Sequence, residues 1–522
     1  MAALANPQSD SPFNKVPLEV LLRISTLLNT TELGALRLTC RSIEQSLFNT
    51  FMKEFFTKRQ FMITEFSLQA LVDISNSRLS DCLDHVIIGL NCFTRQHFPP
   101  GKEACETRYR EAQADHFALV NSGHHVVMLT EAFRNLKNLK TVGIRDYNSK
   151  ARGLRDGFTA TWASYGATTL EKETEVNLFR VPVDEIQAYT NKVFISVFTA
   201  LGNAGARPKA FELFRKGQGV PSDEAFNLFT KYLEPKVTPV LQGLETFMCV
   251  VNVANGPFRT TAPVTDADDN TVFSRPSEAE LQPPGNNSDA VDHFINWLGT
   301  PTPKPLSTSL VSNGSQLPPP SLLADESRLP PPPPPVAFPH VEELNLGLVD
   351  VEPRRLIQLI RKLSPTLKKL ELWKLTLWNK AAETRVERRD HYKVNLWAKM
   401  LKALSDIPSL NLDHIMIGSP AQRTFMTNTK VWFHNGPDDK VDKKEYTGID
   451  WKHFVEELAG QVKAELPVES DEDMDEYDSE LDEEMEDDLM NIYYNDMNYY
   501  PDDMQEALEM WEDMMMHESG FH

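Results

Sequence analysis

The chain has 522 residues, long enough for several domains and a large core. Its 53 Lys and Arg against 75 Asp and Glu give a net charge of −22, but residues 461–522 contain 23 of the acids and one base, so the rest of the chain is neutral. A neutral body argues against binding of nucleic acid through a generally basic surface, because phosphate attraction requires clustered Lys and Arg.

Five cysteines over this length, with no C-x-x-C pair, predict a reducing compartment rather than a disulfide framework. No run of residues approaches the roughly 18 apolar positions of a membrane helix. The first ten residues lack the basic and apolar regions of a secretory signal. We therefore expect a protein of the cytoplasm, the nucleus or both that does not enter a membrane.

The first predicted elements lie between Val16 and Ile43, which reads VPLEVLLRISTLLNTTELGALRLTCRSI. Pro17 suits the first turn of a helix, and apolar residues then recur at helical spacing. Thr31 is placed to cap a second helix, and Ile43 falls in a third. A segment this short and this rich in Leu cannot bury every apolar side chain, so part of its surface should meet another surface.

This segment resembles the F-box. The family pattern Leu-Pro-x-Glu-Ile-Leu corresponds to VPLEVL from Val16, its mid-box Asp-Leu to Glu32 and Leu33, and its closing Leu-x-Leu-Val-Cys-Arg-x-Trp to LRLTCRSI from Leu36. The main departure is Ile43, an apolar residue where Trp is commonest. The continuation, FMKEFFTKRQ, and the late stretch KKEYTGIDWKHFVEEL resemble F-box proteins of filamentous fungi.

The resemblance implies that the chain docks on the Skp-type adaptor of an SCF (cullin–RING) ubiquitin ligase. The residues expected at that contact are Val16, Pro17, Leu18, Leu21, Ile24, Leu28, Leu33 and Leu36. In the family the rest of the chain presents a substrate protein for ubiquitin transfer, so the chain itself needs no catalytic residue, cofactor or metal.

Beyond this segment a strand signal recurs, in which apolar residues (Φ) follow the spacing Φ-x-x-Φ-x-Φ. The instances are Leu83/Val86/Ile88, Leu139/Val142/Ile144, Leu244/Phe247/Cys249, Val341/Leu344/Leu346, Leu367/Leu370/Leu372 and Leu412/Ile415/Ile417. The last two apolar positions lie on one face of a strand. Helical patterns at 126–133, 223–233 and 353–363 precede three of the strands, so the predicted unit is a helix followed by a strand.

The repeat resembles leucine-rich repeats. Two instances, VEELNL and LKKLEL, lie 26 residues apart, a period typical of that family, although others are much farther apart. The resemblance implies an αβ solenoid that binds a protein substrate through the residues beside the strand consensus. These residues are Ile87, Arg145, Met248, Asn345, Glu371, Trp373 and Met416.

Residues 255–337 contain 17 of the 35 prolines and include a run of six. Because Pro cannot donate to a ladder of hydrogen bonds, we expect a disordered or polyproline-like insertion, which is either a solvated spacer or a ligand for an aromatic-lined groove. The acidic tail is expected to repel itself and stay extended. One island in the insertion has helical spacing and is a candidate for docking: Val291, Phe294, Ile295 and Leu298.

The predicted fold class is α/β, with an N-terminal three-helix F-box followed by an irregular αβ leucine-rich-repeat-like solenoid, a disordered Pro-rich insertion and a disordered acidic tail. The expected parts are residues 1–12 (disordered), 13–55 (F-box), 56–254 (first part of the repeat domain), 255–337 (Pro-rich insertion), 338–465 (second part of the repeat domain) and 466–522 (tail).

The sequence contains no HExxH, Walker lysine loop, nucleophile elbow or paired Cys/His metal spacing. We therefore expect a non-catalytic substrate-recognition subunit of an SCF-type ubiquitin ligase. It would bind a Skp-type adaptor, and through it cullin–RING, together with an unidentified substrate protein, without a cofactor. The alternative is a protein-interaction scaffold that acts outside a ligase through the solenoid, the Pro-rich segment or the acidic tail.

Overall fold

The structure is a computed structural model that describes residues 16–150, 153–156, 161–179, 183–216, 220–226, 233–251, 285–301, 336–378, 394–424, 427–436 and 439–464. It divides into two compact units. The first comprises Met1–Ser149 and Trp162–Glu465, and the second comprises Lys150–Thr161 and Leu466–His522. The described residues of the second unit include a short helix, Gly153–Asp156.

Helices and strands alternate along most of the described chain. The helices are α1 (Leu18–Thr26), α2 (Thr30–Leu38), α3 (Arg41–Phe55), α4 (Glu65–Ser75), α5 (Glu103–Asn121), α6 (His124–Asn135), α7 (Gly153–Asp156), α8 (Ala167–Thr174), α9 (Val183–Ala204), α10 (Asp223–Phe226), α11 (Glu234–Gln242), α12 (Gly285–Gly299), α13 (Pro353–Leu363), α14 (Leu396–Ser405) and α15 (Trp451–Gln461). The strands are β1 (Lys58–Met62), β2 (His85–Gly89), β3 (Thr141–Arg145), β4 (Ser149–Lys150), β5 (Thr161–Trp162), β6 (Ala210–Arg215), β7 (Thr246–Val251), β8 (Glu343–Gly347), β9 (Asp350–Val351), β10 (Lys369–Trp373), β11 (Thr376–Trp378), β12 (His414–Gly418), β13 (Ala421–Thr424), β14 (Thr427–Gly436), β15 (Asp439–Val441), β16 (Lys443–Thr447) and β17 (Val462–Ala464).

Among the described residues, nine strands form one sheet in the order β1-β2-β3-β6-β7-β8-β10-β12-β16. The order follows the chain, the first eight strands are parallel, and β16 pairs antiparallel with β12. Each new parallel strand is therefore added beside the previous one after a connection that usually contains a helix. The predicted α/β class is confirmed.

All six instances of the repeated spacing lie at strands of this sheet, namely β2, β3, β7, β8, β10 and β12. The spacing missed β1 and β6, and the register shows why. Arg59 pairs with Val86, so a charged residue occupies an apolar position of the pattern in β1. Pro208 lies two residues before β6, where the other strands have Leu or Val.

The strands β8, β10 and β12 are each followed by a residue with left-handed backbone, Leu348 (φ 55°), Lys374 (φ 46°) and Ser419 (φ 44°). This conformation turns the chain sharply, since β-region backbone would continue the strand. Short strands then follow, and among the described residues they form a second sheet in the order β15-β14-β13-β11-β9, with β17 paired to β14. The two sheets give this part of the chain a repeated strand–turn–strand unit.

The core lies between one face of the long sheet and the helices that connect its strands. The alternating apolar residues of the strands, such as Val86, Ile88 and Leu370, are completely buried there. Helix α13 begins at Pro353, as the pattern predicted, and its apolar stripe faces this core. Such burial of a whole helix face supplies most of the stability of the element.

The island in the Pro-rich segment forms helix α12, and all four of its predicted docking residues are buried. Trp297 stacks on Phe226 with ring centroids 4.7 Å apart. The ammonium of Lys362 on α13 donates to the carbonyl of Leu298, 2.6 Å away, at the end of α12. The expectation of disorder across the whole insertion is therefore wrong for this helix. Apart from Pro301, the prolines of the insertion lie outside the described residues, as do residues 1–12 and the tail from 466 to 522.

Candidate functional site

The helices α1, α2 and α3 form a small unit with its own core. Leu21, Leu33, Ile43, Leu47 and Phe55 are buried together in it. Ile43, which replaces the commoner Trp of the F-box pattern, keeps its apolar role. The unit corresponds in extent to the helical part of the segment predicted at 13–55.

The second helix begins earlier than the sequence suggested, because its capping residue is Asn29 rather than Thr31. The Asn29 side chain accepts from the Glu32 amide (2.8 Å), and the Glu32 carboxylate accepts from the Asn29 amide (3.0 Å). This reciprocal capping box satisfies two amides that a helix start would leave without partners. The predicted cap at Thr31 is wrong, since Thr31 lies inside the helix.

The residues predicted to contact an adaptor divide into three groups in the structure. Pro17 and Leu18 are exposed, and Val16, Ile24, Leu28 and Leu36 are half-buried. Leu21 and Leu33 are only 4% and 2% exposed, because they form the core of the helical unit. Their apolar area is therefore not available to a partner, and their expected contact role is corrected to a structural one.

Three apolar residues that the sequence argument did not select are exposed on this unit: Val20 (48%), Leu27 (77%) and Leu38 (88%). Isolated exposed apolar residues are common, but four large ones, with Leu18, on a unit this small form an unusually apolar surface.

An ion pair and an aromatic stack connect helices α1–α3 to the rest of the first compact unit. Glu44 on α3 pairs with Arg37 of α2 inside the helical unit (3.1 Å) and with Arg78 outside it, which follows α4 (2.5 Å). Phe55 stacks on Trp162 at 6.0 Å between centroids. These contacts fix the orientation of α3 relative to the start of the long sheet, so anything bound to the helices would have a defined position relative to the sheet.

The residues predicted to bind substrate share one face of the long sheet. Five of them are register partners along a single row of side chains: Ile87, Met248, Asn345, Glu371 and Met416. Arg145 and Trp373 lie two residues farther along their strands on the same side. We call this side the ladder face. The row also contains Gln60, Gly143, Glu212 and Glu445, which the spacing did not select.

Burial on the ladder face is greater than the prediction of a contact surface suggested. Ile87, Arg145, Asn345, Glu371 and Met416 are at most 2% exposed, whereas Met248 and Trp373 are half-buried. Neighbouring strands lie about 4.8 Å apart, so the side chains of adjacent strands touch and exclude solvent from one another. The face is nevertheless rich in charged groups, which a packed core would avoid.

One group of charges surrounds Glu212 on β6. Its Oε2 lies 3.1 Å from Nε2 of His85 and 3.3 Å from the guanidinium of Arg145. Burial by itself would raise the pKa of Glu212, but His85, Lys58 and Arg145 outweigh it and hold that pKa well below its usual range. Burial lowers the pKa of His85. We call these four residues the closed cluster, because two cations, Arg145 and Lys58, act on its single carboxylate.

A second group surrounds Glu371 on β10. Its Oε1 lies 2.9 Å from the ammonium of Lys369 and 3.5 Å from Nε2 of His414. Lys369 is also 3.3 Å from Glu343, whose Oε1 accepts a hydrogen bond from the Asn345 amide (3.0 Å). Here two carboxylates share one ammonium. We call these five residues the open cluster.

Two acceptors of the open cluster are not used within the described part of the chain. Neither Oδ1 of Asn345 nor Oε2 of Glu371 has a hydrogen-bond partner among the described residues, although both atoms are buried. Nε1 of the neighbouring Trp373 is also buried and has no hydrogen-bond partner among the described residues. Buried polar atoms without partners are rare in proteins and cost about 1–3 kcal/mol each.

The ring of Trp373 lies over the strand beside it, where Gly418 provides the space. A Cβ at position 418 would lie 2.0 Å from Cε3 and 2.1 Å from Cζ3 of the indole. Only Gly is compatible with this arrangement, which holds the indole next to the open cluster. The glycine thus makes room for a large aromatic side chain beside the open cluster.

No described group of three or more His, Cys, Asp and Glu side chains could hold a metal ion. Burial raises the pKa of the Cys92 thiol to about 12 and also raises that of Cys249. A thiol with a raised pKa stays protonated and is a poor nucleophile. No helix within the described ranges is long and apolar enough to cross a bilayer.

No protein-family model matches this chain, and no curated protein does either.

Proposed function

We propose that the chain is a non-catalytic substrate-recognition subunit of an SCF-type ubiquitin ligase. In this proposal α1–α3 are an F-box that binds a Skp-type adaptor, and through it cullin–RING. The observation that carries the proposal is the exposed apolar surface of the N-terminal helices, on a unit whose sequence resembles the F-box. The proposed site of action is the cytoplasm, the nucleus or both.

The adaptor contact would use the exposed residues of the helices rather than their core. Leu27 and Leu38 are the most exposed of these large apolar residues, and Pro17, Leu18 and Val20 are also exposed. Burying about 300 Å² of such surface contributes about 7 kcal/mol before the cost of association is subtracted. That is enough for a specific contact if the partner is preorganised.

The remainder of the chain would be a leucine-rich-repeat-like solenoid that holds the substrate protein. Its support is the chain-ordered parallel sheet, the helical connections and the repeated turn after β8, β10 and β12. In such an architecture each unit contacts its neighbours and one sheet face serves as a binding surface. The ladder face is the proposed substrate surface.

The mechanism would be proximity. A substrate bound to the ladder face would be held near the ligase, because Glu44, Arg78 and the Phe55–Trp162 stack fix α3 to the sheet. Tethering raises the effective concentration of the substrate at the site of ubiquitin transfer without any new chemical group. In this proposal no residue of the chain takes part in a chemical step of ubiquitin transfer.

The test is affinity purification of the whole chain from cells, with a Leu18→Asp/Leu38→Asp variant. We expect the Skp-type adaptor and cullin to co-purify with wild type and to be lost from the variant, because a carboxylate cannot be buried in an apolar contact without a partner. The matched control is Val127→Asp/Ile449→Asp, which changes two exposed apolar residues outside the helical unit (58% and 91% exposed). Circular dichroism checks that each variant is folded.

The control should retain adaptor and cullin. If wild type recovers neither protein, the ligase proposal is wrong, and the scaffold alternative becomes the better explanation of the exposed helices and the ladder face.

A further inference from the structure

We propose that the open cluster binds a cationic side chain of the substrate protein, an arginine guanidinium held by Asn345 and Glu371. This inference rests on the proposed function and adds to it the chemistry that the substrate surface selects. It starts from the two buried acceptors, Oδ1 of Asn345 and Oε2 of Glu371, that no described residue satisfies.

The geometry directs both acceptors to one place. Asn345 and Glu371 are register partners on adjacent parallel strands, so their side chains leave the same face about 4.8 Å apart. The Asn345 amide group donates to Glu343, which fixes its orientation and leaves the carbonyl oxygen unused. Lys369 and His414 hold Oε1 of Glu371, which leaves Oε2 unused.

The charge of the cluster determines the sign of the ligand. Glu343 and Glu371 share the single ammonium of Lys369, so the carboxylates of the cluster outnumber its ammonium by one. Burial alone would raise the pKa of Glu371, but His414 and Lys369 outweigh it, so the carboxylate keeps its charge. A cation completes the cluster, whereas a phosphate or carboxylate would be repelled.

A guanidinium fits these acceptors better than an ammonium does. It presents five N–H donors in a rigid plane, so it can bridge two acceptors on neighbouring strands. The indole of Trp373 is two residues from Glu371 on the same face, where an aromatic ring stabilises a cation.

The closed cluster is the internal comparison. Its carboxylate, Glu212, already has His85 and Arg145 within 3.3 Å, and Lys58 contributes a further positive charge. It therefore has no deficit of positive charge for a ligand to supply. The inference concerns the β8–β10 part of the ladder face alone.

The experiment measures binding of a short acetylated, amidated Gly/Ser peptide with one central Arg to the full-length chain by isothermal titration calorimetry. The reference peptide replaces Arg with citrulline, which has the same shape without the charge. We expect the Arg peptide to bind at least fivefold more tightly, and we expect Glu371→Gln to abolish that difference. Glu456→Gln removes one exposed carboxylate elsewhere and should leave the difference unchanged.

A variant that keeps the charge protects the test against misfolding. Glu371→Asp shortens the side chain but retains its carboxylate, and we expect it to bind the Arg peptide more tightly than the citrulline peptide, as wild type does. Equal affinity for both peptides, or equal losses in Glu371→Gln and Glu456→Gln, overturns the inference, because the attraction would then come from net charge alone. The adaptor purification is independent of these residues, so failure of either proposal is distinguishable from failure of the other.

Discussion

The closed and open clusters lie on the same sheet face, yet they hold their carboxylates in opposite ways. In the closed cluster one carboxylate, Glu212, contacts an imidazole and a guanidinium through the same oxygen. In the open cluster Glu371 and Glu343 share Lys369, and one oxygen of Glu371 is unused within the described chain. The first arrangement gives its one carboxylate a guanidinium of its own and suits stability, whereas in the second two carboxylates share one ammonium, which suits a cationic ligand.

Gly143 on β3, the strand between β6 and β2, explains part of this difference. Glu212 reaches from β6 across β3 to His85 because position 143 is Gly, and a Cβ there would already lie 3.4 Å from the carboxylate. In the open cluster Asn345 faces Glu371 directly, and no described residue supplies a donor to its Oδ1. A single small residue thus lets one carboxylate find partners two strands away.

The largest expected effect is loss of stability on neutralising the closed cluster. Glu212→Gln would leave the buried guanidinium of Arg145 without its carboxylate, and we expect a loss of about 3 kcal/mol in the free energy of unfolding. Glu371→Gln should cost only about 1 kcal/mol, because Lys369 keeps Glu343. Urea denaturation of both variants measures the difference. Equal losses would contradict the division into a closed and an open cluster.

The next effect concerns the aromatic wall of the open cluster. Gly418→Ala places a Cβ within 2.1 Å of the Trp373 ring and must displace it, which we expect to cost about 2 kcal/mol. The double variant Gly418→Ala/Trp373→Leu removes the clash, so its loss should be smaller than the sum of the two single losses. Additive losses in this double-mutant cycle would show that the indole does not depend on Gly418.

Much of the architecture could be predicted from the sequence, because it depends on local apolar spacing. The pattern located six strands of the long sheet, the start of α13 and the docking helix in the Pro-rich segment. It failed at β1 and β6, where Arg59 and Pro208 occupy apolar positions. Single substitutions of this kind are tolerated because neighbouring strands fix the register.

The clusters could not be predicted in the same way. His85 and Glu212 are 127 positions apart, and their contact requires both the strand order and the absence of a side chain at Gly143. The repeated spacing placed Glu371 and Asn345 on one face, but it could not predict that two carboxylates share Lys369. Exposure at Leu27 and Leu38 was missed for a related reason, since burial depends on how the three helices pack.

The smallest effect is a change in the pH dependence of stability. Burial lowers the pKa of His85 in the folded chain, so the unfolded chain takes up a proton at higher pH and stability falls as the pH drops below about 6.5. His85→Gln removes this contribution, and we expect its free energy of unfolding to fall less than that of wild type between pH 7 and pH 5.

His116, whose pKa burial lowers to about 4, contributes to the acid-induced loss in both proteins. His124→Gln, which replaces an exposed imidazole, controls for the loss of one histidine. Parallel pH profiles for wild type and His85→Gln would show that the closed cluster does not depend on a neutral His85.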